Sequence, residues 1–228
     1  MTLTNTNTFS GNTSLLAGTL ALTNPASNNL IPNSAVIQVG SGANLDVTGL
    51  NASKLTLASG QSLTGNGKVI GNIETIAPSG IILGSTITAG GLLTPGHLTI
   101  TGDATLNGTL MADLAGLKQG VDYDWLEVGG ITRLAGTVDV NLVGGFTPDS
   151  GARFYVLTSV GGILTAANFA NVKFDFTHAP MIGGWQVLIE ELGNDAGEAL
   201  VLVASPEPAT LVLLGGGLLA LLRRRRRR

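Results

Sequence analysis

Three acidic residues near the middle of the chain have the spacing that best suits chemistry. Asp122 and Asp124 lie two positions apart, and Glu127 follows closely. If this stretch is a strand, the two aspartates face the same side, because side chains alternate along an extended chain. Paired carboxylates can bind calcium or act as general acid and base. The alternative is that they are ordinary acids on a solvated loop before a buried Trp125. We favour that alternative and predict neither a catalytic nor a metal site.

The two histidines, His97 and His178, have no local motif that would make them zinc ligands or members of a Ser-His-Asp triad. The chain also has no cysteine. We expect both histidines in turns.

The stretch Gly65-Asn66-Gly67 departs from dinucleotide and phosphate-loop fingerprints. It is better interpreted as a turn between strands, where glycine adopts positive φ without strain, and we predict no cofactor.

The composition favours strands and turns over helices. The 228 residues include 33 glycines, with 44% apolar and only 12% charged residues, which is enough apolar content for a long core. All fifteen acidic residues lie at or before Glu207, together with six of the twelve basic ones. Because this body is acidic, we predict that it does not bind nucleic acid.

A short pattern recurs in the first half of the chain. The sequences SGANL, SGQSL and SGIIL begin at Ser41, Ser59 and Ser79, which lie 18 and then 20 residues apart. A repeat of about 20 residues with short strands and Gly/Asn turns is typical of a solenoid, in which each round stacks on the previous one. Pieces such as AVIQV, NLDV and KLTL have the composition and alternation of strands. We predict an all-β fold, a right-handed parallel β-helix with a core of stacked Leu, Ile and Val.

The character of the chain changes near residue 110. Residues 1–110 contain one aromatic residue, Phe9, whereas nine aromatic residues lie between Tyr123 and Trp185. Longer strands follow, from GTLMADL to EALVLVA, with turns at residues 144–151 and 193–197. We predict solenoid repeats in residues 1–110 and a β-rich cap in residues 111–204. Such a cap is needed because an open end would leave backbone groups unpaired.

The remaining segment, residues 205–228, combines an uncharged run with a basic end. Residues 209–222 carry no charge, and six arginines follow. A helix over this run would rise about 21 Å, short for a hydrocarbon core of about 30 Å, although arginine stems can reach the interface. Two alternatives are a buried core helix, which the glycines at 215–217 disfavour, and a nucleic-acid arm or purification tag.

We therefore predict a short apolar C-terminal helix that crosses the membrane, with its arginines on the cytoplasmic side. The span is represented by Ala209, Leu211, Leu214, Gly216, Leu219 and Leu222. The cytoplasmic anchor consists of Arg223, Arg224, Arg225, Arg226, Arg227 and Arg228.

Pro206, Glu207 and Pro208 precede the apolar run. This order of tripeptide, apolar span and terminal arginines resembles the PEP-CTERM protein-sorting segment of Gram-negative bacteria. The resemblance implies export, transient residence in the inner membrane, recognition of the tripeptide by an exosortase, removal of the tail and delivery to the cell surface or exterior. Bacteria with that system commonly make exopolysaccharide and biofilm. The two prolines also keep a helix from extending upstream, which would leave an accessible stretch outside the bilayer.

A second resemblance concerns residues 95–160. The succession of GTLMADL, YDWLEV and GTVDVNLVGGFTPDSGARFYVLTSVG resembles the C-terminal passenger region of autotransporter-type β-helical surface proteins. This resemblance also implies a β-helical body. The chain passes from Ala204 directly into the sorting segment, which favours the exosortase route over self-translocation.

These features favour an exported, non-enzymatic surface or matrix protein that acts in adhesion or binds exopolysaccharide. The alternative is a secreted polysaccharide lyase or hydrolase with a β-helix fold, which requires converging acids and bases. The first 110 residues offer five candidates for that role: Asp46, Glu74, Asp103, Lys54 and Lys68.

The beginning of the sequence lacks the features of a secretory signal. We expect either that it starts downstream of the true beginning or that the protein is cytosolic with an arginine interaction tail.

Overall fold

The computed structural model describes residues 1–79, 83–91, 93–194 and 196–205, and strands dominate these ranges. The strands of the first half are β1 Thr2–Leu3, β2 Thr13–Leu15, β3 Gly18–Asn24, β4 Val36–Val39, β5 Ala43–Leu50, β6 Lys54–Thr56, β7 Ser62–Gly65, β8 Lys68–Ile70, β9 Asn72–Thr75, β10 Thr86–Ala89, β11 His97–Ile100 and β12 Ala104–Leu106. Those of the second half are β13 Thr109–Leu114, β14 Trp125–Val128, β15 Thr132–Leu134, β16 Thr137–Leu142, β17 Arg153–Ser159, β18 Ile163–Leu164, β19 Lys173–His178, β20 Trp185–Glu191 and β21 Glu198–Ala204.

Helical structure in the described residues is limited to short 3₁₀ turns at Asn51–Ser53 and Ala167–Phe169. The all-β prediction is thereby confirmed. The C-terminal helix predicted for residues 209–222 lies outside the described residues.

The strands form three sheets that the chain visits in rotation. The first sheet has the order β1-β3-β5-β8-β11-β14-β17-β21-β20, the second β19-β16-β13-β10-β7-β4-β2, and the third β18-β15-β12-β9-β6. From β7 onward the chain passes through the second, first and third sheets and then begins again, and we name one such passage a circuit. Strands of neighbouring circuits pair in parallel. The backbone groups of each circuit are therefore satisfied by the circuits on either side of it.

The circuits are longer than the repeated pattern suggests. Register partners on neighbouring circuits are 24 residues apart at Ser14 and Gln38 in β2 and β4, and 28 apart at Asp113 and Asn141 in β13 and β16. Thr56 and Glu74 in β6 and β9, at 18 residues, are closer to the pattern's spacing. The reason is that SGANL leads into β5 of the first sheet, while SGQSL leads into β7 of the second. The predicted period of about 20 residues is wrong for most of the chain, because the pattern marks entry into a strand of either sheet and not one full circuit.

Inward-facing side chains of successive circuits stack in columns. In the second sheet the register places one fully buried aliphatic residue on the next: Ile37, Leu63, Ile87, Leu110 and Val138. The first sheet has a matching column of Leu45, Val69, Ile100 and Val128. Each such side chain contributes roughly 1.5–3 kcal/mol through burial. The strand alternation that the sequence shows is therefore what builds the core.

Glycine is required where the chain turns from the third sheet into the second. A Cβ atom on Gly136 would lie 1.9 Å from the carbonyl oxygen of Gly108, and one on Gly108 would lie 2.1 Å from that of Ser85. The same carbonyls accept backbone hydrogen bonds from the next circuit, since Thr137 donates to Gly108 at 2.8 Å. A side chain at either glycine would push apart two circuits that are hydrogen-bonded together.

The parallel arrangement ends in the first sheet, where β17 pairs antiparallel with β21 and β21 pairs antiparallel with β20. The edge strand β20 carries Glu190 and Glu191 at its end, and charged residues on an edge discourage pairing with further strands. The loop between β20 and β21 includes a hydrogen bond from Leu192 to Gly197 at 2.8 Å. The hairpin-like loop predicted for residues 193–197 is thereby confirmed in the part of it that the structure describes, which excludes Asp195.

Aromatic residues fill the interior near this antiparallel end. Phe154 is fully buried, and its ring contacts those of Tyr123, Phe146 and Trp185 at centroid distances of 5.2, 6.1 and 5.9 Å. Edge-to-face contacts of this kind contribute about 0.5–1.5 kcal/mol beyond burial. The sheets themselves continue through residue 110, and the division into residues 1–110 and 111–204 stays a prediction.

We expect Gly136→Ala to lower the free energy of unfolding by about 2 kcal/mol, because the added methyl group overlaps the carbonyl of Gly108. Urea denaturation followed by tryptophan fluorescence measures this change. The matched control is Gly11→Ala, since a Cβ at Gly11 meets no atom within 4 Å. Equal stability of the two variants would contradict the close approach of the circuits.

Candidate functional site

The predicted sorting signal begins immediately after the last strand. The N–H of Ala204 donates to the carbonyl of Ala152 at 2.9 Å, and its own carbonyl accepts from Gly151 at 2.7 Å. Ser205 donates to the carbonyl of Gly184 at 3.0 Å. The chain is therefore held to its neighbours up to the residue that precedes the tripeptide.

The sorting tripeptide Pro206, Glu207 and Pro208, the predicted span and the six arginines lie outside the described residues. Within residues 1–79, 83–91, 93–194 and 196–205, no helix has the length and apolar content needed to cross a membrane.

The three acids of the central stretch do not act together. Asp122 lies in a turn, where its carboxylate accepts the N–H of Lys118 at 3.2 Å. Asp124 is buried just before β14, whereas Glu127 lies on the outer face of that strand. The interpretation in which both aspartates belong to one strand is wrong, because the turn ends only at Asp122 and the strand begins at Trp125. The favoured alternative, acids on a solvated loop before a buried Trp125, is wrong as well, because Asp124 is buried and Trp125 is only half-buried. Among the described residues, no group of three or more potential metal ligands comes together.

Asp124 organises backbone from two neighbouring elements. One carboxylate oxygen accepts the N–H of Gly96 at 3.0 Å, and the other accepts that of Asp113 at 3.1 Å. Burial raises the pKa of Asp124 to about 8, with the nearby carboxylate of Asp113 adding to the rise and the backbone hydrogen bonds opposing it. Asp113 is fully buried, accepts a hydrogen bond from Asn141 at 2.8 Å, and has its own pKa raised by burial.

His97 begins β11 and takes part in a contact that crosses to the next circuit. Its ring stacks on that of Trp125 with a centroid distance of 3.9 Å and an angle of 6° between the planes. Its Nε2 atom lies 2.9 Å from the Glu127 carboxylate, which also accepts from Thr99 at 3.3 Å. The prediction of a turn position for His97 is wrong, because the residue is part of the first sheet.

His178 is also in a strand and not in a turn. It ends β19 in the second sheet, with a side chain that is 68% exposed, and its Nδ1 lies 3.9 Å from Asp139. The two histidines therefore belong to different sheets.

Gly65-Asn66-Gly67 forms the predicted turn, between β7 and β8, and the side chain of Asn66 accepts the N–H of His97 at 2.9 Å.

A cleft opens on the outer face of the first sheet beside Trp125. Its volume is about 250 Å³, and its lining includes Gln119, Trp125, Glu127, Tyr155 and Thr158. The indole N–H of Trp125 donates to the hydroxyl of Thr158 at 2.8 Å, and the amide of Gln119 donates to the backbone carbonyl of Tyr155 at 2.8 Å. These contacts fix the orientation of the cleft's aromatic and amide groups.

The five charged residues that an enzyme would need are distributed over two sheets and a turn. Lys54 and Glu74 form an ion pair of 2.7 Å in the third sheet, and the hydrogen bond from Lys54 lowers the pKa of Glu74. Asp46 and Lys68 lie in β5 and β8 of the first sheet, and Asp103 precedes β12, where it accepts the N–H of Ile131 at 2.8 Å. Asp103 also lies 3.9 Å from Arg133.

Sequence reasoning missed the groups that the fold brings together from distant positions. The pairing of Asp113 with Asn141 spans 28 residues, and that of Trp125 with Thr158 spans 33. The signal that could have found them is strand register. Once GTLMADL and GTVDVNLV are aligned as neighbouring strands, Asp113 falls opposite Asn141.

The raised pKa of Asp124 predicts that the protein loses stability as pH rises. Between about pH 4 and pH 8 the folded state keeps a proton that the unfolded chain has released, so the free energy of unfolding falls across this window by a few kcal/mol. Urea denaturation at half-unit pH steps measures the slope. Asp124→Asn is expected to reduce it, whereas the exposed control Asp149→Asn is not. The same slope in Asp124→Asn and in the unchanged chain would exclude Asp124 as its source.

The comparison with known proteins concerns the end of the chain. No curated protein and no solved structure matches the chain, and the resemblance of the body to autotransporter passengers stays a prediction. Residues 206–227 match the family model described as the PEP-CTERM protein-sorting motif. The chain therefore carries a PEP-CTERM sorting signal that begins two residues after β21 ends, and this signal indicates an exported protein that is sorted by an exosortase.

Proposed function

We propose that the protein is a non-enzymatic component of the cell surface or extracellular matrix, delivered through its C-terminal sorting signal. The observation that carries this proposal is the match of residues 206–227 to the sorting motif. An exosortase removes the tail, and the acidic body is released to the outside or retained on the surface. There the body acts in adhesion or in organising exopolysaccharide.

We further propose that the circuits form a right-handed parallel β-helix, closed at its C-terminal end by the antiparallel pair β20 and β21. The rotation of the chain through three sheets and the parallel pairing of successive circuits support this architecture. A β-helix suits a structural role, because its stacked circuits expose long regular faces. The outer positions of these faces carry mainly Thr and Ser in strands such as β7, β10 and β13, where they are Ser62, Thr64, Thr86, Thr109 and Met111.

A non-enzymatic role agrees with the placement of the charged residues in the first half of the body. A glycoside hydrolase needs two carboxyl groups that flank one bond. Glu74 is instead paired with Lys54, and Asp103 accepts a backbone hydrogen bond in a turn.

The proposal predicts that processing depends on the tripeptide. When Pro206, Glu207 and Pro208 are replaced by alanine in the cells that produce the protein, we expect the full-length form to accumulate in the membrane fraction. The tag for detection is best inserted between Gly144 and Gly145, which are exposed in a turn. Fractionation and intact mass then distinguish precursor from product. The control replaces the exposed residues Thr4, Asn5 and Thr6 by alanine. A secreted form that still contains the arginines would overturn the proposal.

The arginines are predicted to act through their charge. Replacing all six by lysine keeps the positive charge on the cytoplasmic side, and we expect processing at a normal level. Replacing them by glutamine removes the charge that fixes the orientation of the span, and we expect at least a fivefold lower yield of processed protein by quantitative immunoblot. Equal processing of the lysine and glutamine variants would show that the charge does not orient the tail.

A further inference from the structure

The cleft beside Trp125 results from an interruption in a ladder of outward-facing side chains. His97 and Trp125 are register partners in β11 and β14, and their rings stack. On the next circuit Leu126 lies opposite Leu157, which places Val156 beside Trp125. Val156 and the next residue, Leu157, are both buried. The alternation of exposed and buried side chains along β17 is therefore interrupted at Val156. The ladder of stacked rings therefore stops at Trp125.

The interruption coincides with a change of register in β17. Its pairing with β21 shifts between Tyr155 and Leu157, and bulges of this kind often redirect side chains next to binding sites. Tyr155 and Thr158 flank the interrupted position, and the loop residue Gln119 reaches across to the backbone of Tyr155 at 2.8 Å. The resulting cleft has a volume of about 250 Å³, which is below the roughly 300–1,000 Å³ of pockets for drug-sized ligands and therefore suits a single ring.

The chemistry of the lining combines flat aromatic surface with a few oriented polar groups. The indole of Trp125 is fixed by its stacking on His97 and by its hydrogen bond to Thr158. The Glu127 carboxylate is fixed by His97 and Thr99, yet its side chain remains 39% exposed. A binding site in which the groups are already held in place loses little conformational entropy on binding.

We propose that this cleft binds one sugar unit of an extracellular polysaccharide. A pyranose ring has an apolar C–H face, which packs on the open face of Trp125, and hydroxyl groups around its edge, which can bond to the Glu127 carboxylate and the Gln119 amide. One Glu127 oxygen is engaged by His97 and Thr99, so the other oxygen can accept a hydrogen bond from a sugar hydroxyl, and the test below distinguishes a neutral ring from an organic cation. The choice of ligand rests on the proposed function, which places the body where such polymers occur.

The test is saturation-transfer difference NMR with the full chain in micelles of dodecyl octaethylene glycol ether, a detergent that has neither sugar groups nor a cationic group. The probes are the methyl glycosides of glucose, galactose and N-acetylglucosamine, with choline as the cationic alternative. We expect at least one glycoside to bind with saturation strongest on its ring C–H protons. Trp125→Ala should weaken this binding about tenfold, roughly 1.4 kcal/mol. Trp185→Phe, outside the cleft lining, should leave it unchanged.

Glu127→Gln provides a second variant that conserves the shape of the side chain, in case Trp125→Ala does not fold by circular dichroism. We expect it to weaken glycoside binding about threefold. The site is excluded if no glycoside binds, if choline alone binds, or if binding is undiminished in a folded Trp125→Ala or in Glu127→Gln. None of these outcomes bears on export, because the experiment uses purified protein. Conversely, failure of processing in cells would overturn the proposed delivery, while sugar binding by the purified protein could still be measured.

Discussion

The contact between backbones of successive circuits is the constraint on which the rest of the structure depends. Each strand of the parallel stack must lie at hydrogen-bonding distance from the strands before and after it, all along three sheets. At the corners this spacing leaves room only for hydrogen, as at Gly108 and Gly136. Part of the glycine content of the sequence follows from this requirement.

The same spacing determines which side chains can interact. Residues separated by 28 to 33 positions in sequence become direct neighbours, as Asp113 and Asn141 do inside and as Trp125 and Thr158 do outside. Ladders of like residues form when the alternation of β-strands is kept over several circuits. Where β17 breaks the alternation, a ladder ends and a cleft replaces it. The carboxyl groups whose pKa is raised also lie in this later part, because the buried side chains of Asp113 and Asp124 occur there.

The sequence was sufficient to predict strands, turns and the sorting signal, because these depend on local patterns. The alternation in AVIQV and KLTL and the turn at Gly65-Asn66-Gly67 each lie within a few residues, and the tripeptide with its apolar run forms one contiguous segment. It was not sufficient to predict the length of a circuit. SGANL and SGQSL resemble each other because both enter strands, although of different sheets. The positions of His97 and Asp124 could not be predicted either, since their partners come from other circuits.

The antiparallel closure has a consequence for the order of events during export. Strand β21 lies between β17 and β20, so the first sheet is incomplete until the last residues of the body are available. The sorting signal follows directly after Ser205. If the tail halts in the bilayer as proposed, the closing strand has already left the translocation channel at that moment, and folding can finish while the chain is still tethered. A cut at any bond beyond Ser205 then leaves every hydrogen bond of β21 intact, so release does not loosen the molecule.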